Sequence, residues 1–266
     1  MISTTIHYQF GTPPVTATGL GLPQDNLNEQ LSGPVAELIF DDAGKDNIKN
    51  LLDSVADTDF KKDNLNALLE DDTNIEDWRV GEALAEYYLS TRKSCYFPWP
   101  DGRDERKRGS SLPGADLAGF QTDGETERFA FGEVKTSSEN KYPPGVMHGR
   151  HGLKQQLEDL RDCQQIRKDL VIYLAHRAGG SLWHERFKKA SSRYLQNTED
   201  VRVFGIMIRD VPPKEEDLKT RVTNLSDGCP PEMRMELLAI YLPPGSISTL
   251  STTVVASRSQ EKGGNP

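Results

Sequence analysis

GADLAGF at residues 114–120 and RFAFGEVK at residues 128–135 are the two stretches that decide the fold predicted for this chain. Both are apolar, and a polar turn centred on residues 123–125 separates them, which predicts two strands joined as an antiparallel hairpin. In such a hairpin the numbers of paired residues add up to about 249. This register places Asp116 opposite Glu133 on one face, with about 4.5–5.5 Å between their Cβ atoms.

Two carboxylates at this separation repel each other, at a cost of about 4 kcal/mol for a distance of 4 Å and an effective dielectric constant near 20. The pair is therefore expected to bind a cation. Mg²⁺ prefers oxygen ligands and keeps several waters, and it is predicted to use Asp116, Glu133 and the backbone carbonyl of Val134, with Mn²⁺ as a substitute. A metal held there would polarise a phosphate and activate a bound water, which predicts a Mg²⁺-dependent nuclease, that is, a metal-dependent phosphodiesterase.

Lys135 points to the same face as Glu133, because side chains alternate along a strand. As a cation it would orient the attacking water and offset charge that develops on the phosphate. With a lowered pKa it would instead act as a general base, and the sequence leaves both roles open.

Three further side chains are candidates for the site. A strong helix is predicted over residues 76–93, and it is apolar on nearly every side, except where Glu82 and Glu86 lie one turn apart. Glu82, or alternatively Glu86, would add a carboxylate to the metal site; the competing interpretation of each is a solvent-facing helix charge. Gln155 lies beside Gln156 at the start of a later helix, and either could contact the phosphate or its waters.

The motif itself is short, so alternatives matter. A second Glu-x-Lys occurs at residues 105–107, but it lies in a charged loop without apolar flanks, and we reject it. Glu133 and Lys135 could also form a simple surface ion pair, which contributes little to stability. His148 and His151 are expected at the surface or near a phosphate rather than on a metal, since no third soft ligand accompanies them.

The remaining pattern predicts an α/β fold, in which a mixed central β-sheet is flanked by helices. We expect three regions: an acidic, partner-docking region over 1–75, a catalytic core over 76–245 and a disordered tail over 246–266. The predicted elements outside the hairpin are a strand at residues 6–10, short acidic helices within 36–72, helices at 152–168 and 181–195, and strands at 170–175 (LVIYLA), 201–208 and 235–242.

Composition and charge narrow the function classes. The chain has no apolar run long enough to span a bilayer and no signal-peptide pattern at its start, which predicts a cytoplasmic protein. Its three cysteines form no CxxC pair, so a zinc site is not expected. The net charge of −9 is unusual for a DNA-binding protein, but residues 1–76 hold 14 acidic and 4 basic side chains, a net charge of −10. The acidity is therefore confined to the N-terminal region.

Residues 76–176 resemble the PD-(D/E)xK nuclease superfamily, whose core is a helix with Glu, a hairpin with Asp and Glu-x-Lys, then a helix and a strand. The Pro of that motif is missing, because Gly114 and Ala115 precede Asp116. The resemblance implies a restriction-endonuclease-like core with Glu82, Asp116, Glu133, Lys135 and Gln155 as its site residues. Within the superfamily, GEALAEY at 81–87, with Asp116 and the Glu-x-Lys strand, is similar to the HamA family, the nuclease subunits of Hachiman anti-phage defence systems.

That closer resemblance implies a partner, a superfamily 2 helicase that restrains the nuclease, and indiscriminate degradation of DNA. Two other functions stay open at this stage. One is a restriction or repair nuclease specific for sequence or structure, although the chain carries no groove-reading motif. The other is an inactive interaction subunit built on a nuclease fold, which the negative net charge favours.

Overall fold

The computed structural model of the chain describes residues 2–99 and 114–263, so the second Glu-x-Lys at 105–107 lies outside the described residues. Within these ranges the strands are β1 (Thr5–Thr12), β2 (Val15–Gly21), β3 (Cys95–Tyr96), β4 (Leu117–Asp123), β5 (Thr126–Ser137), β6 (Arg202–Arg209) and β7 (Arg234–Tyr241). The helices are α1 (Gln24–Ser32), α2 (Pro34–Phe40), α3 (Asp42–Leu52), α4 (Asp59–Leu68), α5 (Asp77–Arg92), α6 (Leu153–Asp162), α7 (Gln164–Ala178), α8 (His184–Gln196), α9 (Lys219–Ser226) and α10 (Leu250–Gly263).

The strands form one seven-stranded mixed sheet in the order β1-β2-β7-β6-β5-β4-β3, with helices on both faces. This confirms the predicted α/β class. Strands β2, β7, β6 and β5 run parallel to one another, whereas β1 at one edge and β4 and β3 at the other edge pair antiparallel. Three helices, α6 to α8, make the crossover from β5 to the parallel strand β6.

The β4–β5 hairpin has the register predicted from the sequence. Leu117 pairs with Gly132, and the pairing continues to Asp123 and Thr126, so the paired numbers add up to 249. The turn between the strands consists of Gly124 and Glu125, and Gly124 has a φ of 60°, a conformation that favours glycine. Asp116, directly before β4, is thus carried to the position opposite Glu133.

Strand alternation divides the buried side chains into two cores, one on each face of the sheet. On β5, Ala130 and Val134 contribute to the core beneath α1, α2, α5 and α10. Phe129 and Phe131 contribute to the opposite core, beneath α6, α7, α8 and α9. Glu133 and Lys135 are two and four residues beyond Phe131, so they lie on the same face of the sheet as Phe131, the face covered by α6.

The apolar run LVIYLA at 170–175 was predicted to be a central strand, and this prediction is wrong, because the run lies inside α7. The buried apolar residues of α7 are Leu170, Leu174 and Ala178, which are spaced by four and so form a single helical stripe. Ile172, within the same run, is 42% exposed. A short apolar run cannot be assigned by periodicity alone, and no glycine or proline within residues 164–178 interrupts the helix. The helix predicted at 152–168 is in fact two helices, which meet at Cys163.

The predicted boundary after residue 75 does not separate two structural units. Strand β2 pairs in parallel with β7 along its whole length, which places residues 15–21 inside the sheet. Helices α1 and α2 bury Leu27, Leu31 and Val35 in the same core as α5. Within the N-terminal region, α3 and α4 match the short acidic helices predicted there.

The tail predicted to be disordered is also corrected, since residues 250–263 form α10. Leu250 and Val254 are 1% and 0% exposed and pack into the core shared with α5. Arg258 forms ion pairs with Asp42 and Asp71, the latter at 2.8 Å, and so ties α10 to the acidic segment. Among the helices in the described ranges, none combines the length and the apolarity needed to cross a membrane.

Candidate active site

Asp116, Glu133 and Lys135 come together at the α6 face of the hairpin, as predicted. Lys135 Nζ lies 3.6 Å from Asp116 Oδ2 and 3.5 Å from Glu133 Oε2, so one ammonium group contacts both carboxylates. The backbone N–H of Val134 donates a hydrogen bond to Asp116 Oδ2 over 2.7 Å, which fixes the carboxylate at the start of β4. The local cause of this arrangement is the hairpin register.

The ionisation of these three side chains depends mainly on the burial of Glu133, which is 1% exposed. Burial and the neighbouring Asp116 carboxylate raise the pKa of Glu133 well above its ordinary value, and Lys135 only partly opposes this. Glu133 Oε2 is buried without a hydrogen-bond partner. Its ion-pair contact with Lys135 Nζ is long, at 3.5 Å, and a divalent cation at the site would give this buried oxygen a closer partner.

Glu82 reaches the site from the other face of the sheet, on α5. Gly81 lets α5 approach β5 closely, because a Cβ there would lie 2.1 Å from Thr136 Oγ1. Glu82 and Glu86 line a cleft together with Asp116, at the point where β4 begins. The structure therefore places Glu82 beside Asp116, whereas Glu133 belongs to the group on the α6 face.

Glu86 shares this cleft and has an unusual ionisation. Burial, together with the Asp41 carboxylate, raises the pKa of Glu86 from 4.5 to about 7. Near neutral pH, Glu86 is protonated in part of the molecules, and a protonated carboxyl group cannot serve as a metal ligand. Burial raises the pKa of Glu133 as well, so ionisation does not decide between Glu82 and Glu86, which both line the cleft.

Gln155 and Gln156 both lie in the first turn of α6. The Gln155 side-chain amide donates to Asp159 on its own helix over 2.8 Å, so that amide group is already engaged. Gln156 is the better candidate, since its Oε1 is buried without a hydrogen-bond partner. The spacing of the buried residues Leu153, Leu157 and Leu160 could have indicated this, because position 156 lies next to their stripe and position 155 does not.

Other features of the cleft were missed in the sequence. Trp99, Phe97 and Arg79 line it together with the carboxylates. These side chains come from residues 79–86, 97–99 and 116–118, and only the fold brings these three segments together. Neither of the two histidines considered, His148 and His151, is drawn into the protein; both are exposed.

The residues present fit a Mg²⁺ site that has only two carboxylates from the protein. Within residues 2–99 and 114–263 no group of three or more His, Cys, Asp or Glu side chains is positioned to hold a metal. Mg²⁺ is commonly bound by only one or two carboxylates, with waters and substrate oxygens completing its shell. Asp116 and Glu133 supply two carboxylates, and Glu133 Oε2 accepts no hydrogen bond, so the pair meets that requirement; Mn²⁺ accepts the same ligands. When bound, such an ion polarises a phosphate and lowers the pKa of a coordinated water.

The chain was compared with protein-family models and with curated proteins, and neither comparison gave a match.

Proposed function

We propose that this chain is a Mg²⁺-dependent nuclease that hydrolyses phosphodiester bonds in DNA and is built on a PD-(D/E)xK core. One observation supports it most strongly: Lys135 Nζ lies within 3.6 Å of both Asp116 and Glu133, and Glu133 is a buried carboxylate whose Oε2 accepts no hydrogen bond. The order of α5, the β4–β5 hairpin, α6, α7, α8 and β6 also supports it, because the core of that superfamily has a helix, a hairpin, a helical crossover and a strand in this sequence.

Each side chain then has a defined role. Asp116 and Glu133 hold the ion, and Glu82 faces the same cleft as Asp116 and supplies a further carboxylate. Lys135 keeps its ammonium beside both carboxylates, where it orients the attacking water and offsets charge on the phosphate. Because its ammonium contacts two acidic groups, we favour the charged, orienting role of Lys135 over the role of a base.

The direct test is cleavage of a plasmid by the purified chain, with and without Mg²⁺, by the wild type and by Glu133→Gln and Lys135→Met. We expect each variant to lose about 10²-fold or more in rate, as is usual when a preorganised electrostatic group is removed. A matched control is the exposed pair on α8, Glu185→Gln and Lys188→Met, whose ion pair of 3.1 Å lies at the surface. Full activity in the double variant of Glu133 and Lys135 would remove the assignment.

We further propose that the nuclease acts in the cytoplasm as the effector of an anti-phage defence system, restrained by a superfamily 2 helicase. The resemblance to the HamA family motivates this, and the net charge of −9 supports it, because an acidic protein gains little phosphate affinity of its own. The test is plasmid cleavage by the purified chain alone and with a superfamily 2 helicase encoded next to its gene, if one exists. Unchanged cleavage and no complex formation on mixing would refute the partnership.

A second function, an inactive interaction subunit, is favoured by the lack of a three-residue acidic or His/Cys group in the described ranges. Titration calorimetry with Mg²⁺ and Mn²⁺ separates the two functions. The nuclease predicts heat of binding that Glu133→Gln abolishes, whereas the interaction subunit predicts no binding that depends on Glu133.

A further inference from the structure

The segment that follows the Glu-x-Lys strand is basic, in a chain that is acidic as a whole. Residues 140–157 contain no Asp or Glu, although 41 of the 266 residues of the chain are acidic. The same stretch holds His148, Arg150, His151 and Lys154, which we call the basic rim. The first three are exposed, and the side chain of Lys154 is 41% exposed. The chain thus concentrates accessible basic groups in one short segment.

The start of this segment is held at the carboxyl end of β5. Arg209, which is fully buried, donates hydrogen bonds to three backbone carbonyl groups there. These carbonyls belong to Ser137, Glu139 and Lys141, at distances of 2.8, 2.9 and 3.0 Å. Ser137 is the last residue of β5 and pairs with Arg209 on β6. The segment therefore leaves the sheet two residues beyond Lys135.

The far end of the segment is anchored on the face of the sheet that carries Glu133. Met147 and Leu153 are 1% and 0% exposed and belong to the core on that face. One turn further along α6, Leu157 packs against Gly205, where a Cβ would lie 2.6 Å from Leu157 Cδ1. Gly205 is the residue of β6 that pairs with Glu133. The first turn of α6, and the basic rim with it, therefore lies next to the strand position of Glu133.

The acidic side chains that flank the segment have other partners. Glu139 accepts a hydrogen bond from the backbone N–H of Gly145, and Glu158 accepts one from Arg221 over 3.0 Å. Lys154 has a long ion pair of 3.7 Å with the same Glu158. The other three members of the basic rim form no ion pair within residues 2–99 and 114–263. The positive charge of the basic rim is therefore open to a polyanion.

We infer that the basic rim binds the phosphate backbone of the DNA that lies at Asp116 and Glu133, without reading its sequence. This inference deepens the proposed nuclease function and rests on it, because that function identifies the polyanion as DNA. Arg and Lys bind phosphate oxygens as charged donors, and the N–H of a neutral imidazole donates as well. Such contacts position a strand but carry no sequence information. A small number of cations gives only modest affinity, which suits a chain with a net charge of −9.

The test measures the salt dependence of DNA binding, in Glu133→Gln protein without Mg²⁺ so that the DNA stays intact. Fluorescence anisotropy follows the binding of two labelled duplexes of unrelated sequence over a series of salt concentrations. In this background we compare the double variant Arg150→Gln/Lys154→Gln with the single variant Arg150→Lys. The matched control is Lys61→Gln/Lys62→Gln on α4, which changes the net charge equally at side chains that are 53% and 62% exposed.

We expect the double variant to bind both duplexes more weakly and to the same extent, because phosphate contacts do not depend on sequence. Its plot of log affinity against log salt concentration should be shallower by about 1.8, since each phosphate contact on duplex DNA contributes about 0.9 to the slope. Arg150→Lys should keep the slope of its parent because it keeps the charge. The α4 control should keep that slope as well.

Four results would overturn the basic rim: no binding by the parent at the lowest salt concentration, an unchanged slope in the double variant, an equal loss of slope in the α4 control, or a loss confined to one duplex. If the double variant does not fold, Arg150→Gln alone serves, with an expected change in slope of about 0.9. Cleavage by the wild type in Mg²⁺ with an unchanged slope in the double variant removes only the basic rim. A slope that depends on the basic rim, without any cleavage by the wild type, removes only the nuclease.

Discussion

At the scale of single residues, the main feature of the site is the buried carboxyl group of Glu133 close to that of Asp116. Glu133 is almost fully buried, and its negative charge lies near that of Asp116, while Lys135 is the neighbouring cation that reaches both. An arrangement that raises the pKa of a carboxyl group so far is unfavourable for folding at neutral pH unless something compensates it. Groups with strongly perturbed ionisation concentrate at functional sites, which is why this residue carries the proposal.

Glu86 allows a test of the electrostatics that is separate from catalysis. Its pKa is raised from 4.5 to about 7, so the folded state binds a proton more tightly than the unfolded chain does. The stability that this proton gives is complete below pH 4.5 and is lost as the pH rises to about 7. Glu86→Gln should therefore become more stable relative to the wild type across this interval, by up to about 3 kcal/mol.

Urea unfolding of the wild type and Glu86→Gln at a series of pH values between those limits measures the difference directly. A free-energy difference that does not change with pH, or one that shrinks as the pH rises, would contradict the burial of an ionisable Glu86.

At the scale of elements, the approach of α5 to β5 sets the position of Glu82. Gly81→Ala would place its Cβ 2.1 Å from Thr136 Oγ1, so α5 must move away from the sheet. We expect a loss of about 1–3 kcal/mol in the free energy of unfolding, as for other overpacked sites, together with a lower cleavage rate. Thr136→Ala removes the clashing oxygen and leaves the Thr136 Cβ at 3.4 Å, so the double variant should recover both quantities.

A double-mutant cycle in stability and in rate measures this coupling. Simple additivity of the two substitutions would show that Gly81 is not a close-approach site.

The hairpin and the crossover helices show what the sequence could and could not predict at this scale. The register of β4 and β5 was predictable because a short polar turn joins the strands, so the turn alone aligns Leu117 with Gly132. The run at 170–175 was not, since its apolar letters suit a strand and a helix equally, and only packing beneath the sheet selects Leu170 and Leu174 as a stripe. Gln156 is one of the two candidates from the sequence, and its helical position next to Leu153 and Leu157 favours it over Gln155.

Over the whole molecule, the two ends of the chain complete the fold. Strand β2 pairs with β7, more than 200 residues away, and α10 packs against α1, α2 and α5. No local pattern encodes such distant contacts, which explains why both termini were wrongly predicted to be separate from the core. The Ser/Thr-rich composition of residues 246–254 is typical of a disordered tail, but Leu250 and Val254 are buried in the core and attach α10 to the fold.

The role of α10 can be tested with two substitutions on one helix. Val254 is fully buried, so Val254→Asp should cost about 3–5 kcal/mol in the free energy of unfolding, as expected for an uncompensated buried charge. Ala256 is exposed on the same helix, and Ala256→Asp should change stability by less than about 0.5 kcal/mol. Thermal or urea unfolding distinguishes them. Equal, negligible effects of both substitutions would mean that the tail is not part of the fold.

The central claim is that Asp116 and Glu133 share one divalent cation beside Lys135. The most direct measurement is an anomalous difference map from crystals of the protein soaked in Mn²⁺. We predict a peak within coordinating distance of both carboxylates, near the roughly 2.0–2.1 Å of Mg²⁺–oxygen bonds, which disappears in Glu133→Gln. A map with no peak between these two side chains, from crystals of protein that cleaves DNA in Mn²⁺, would contradict the account.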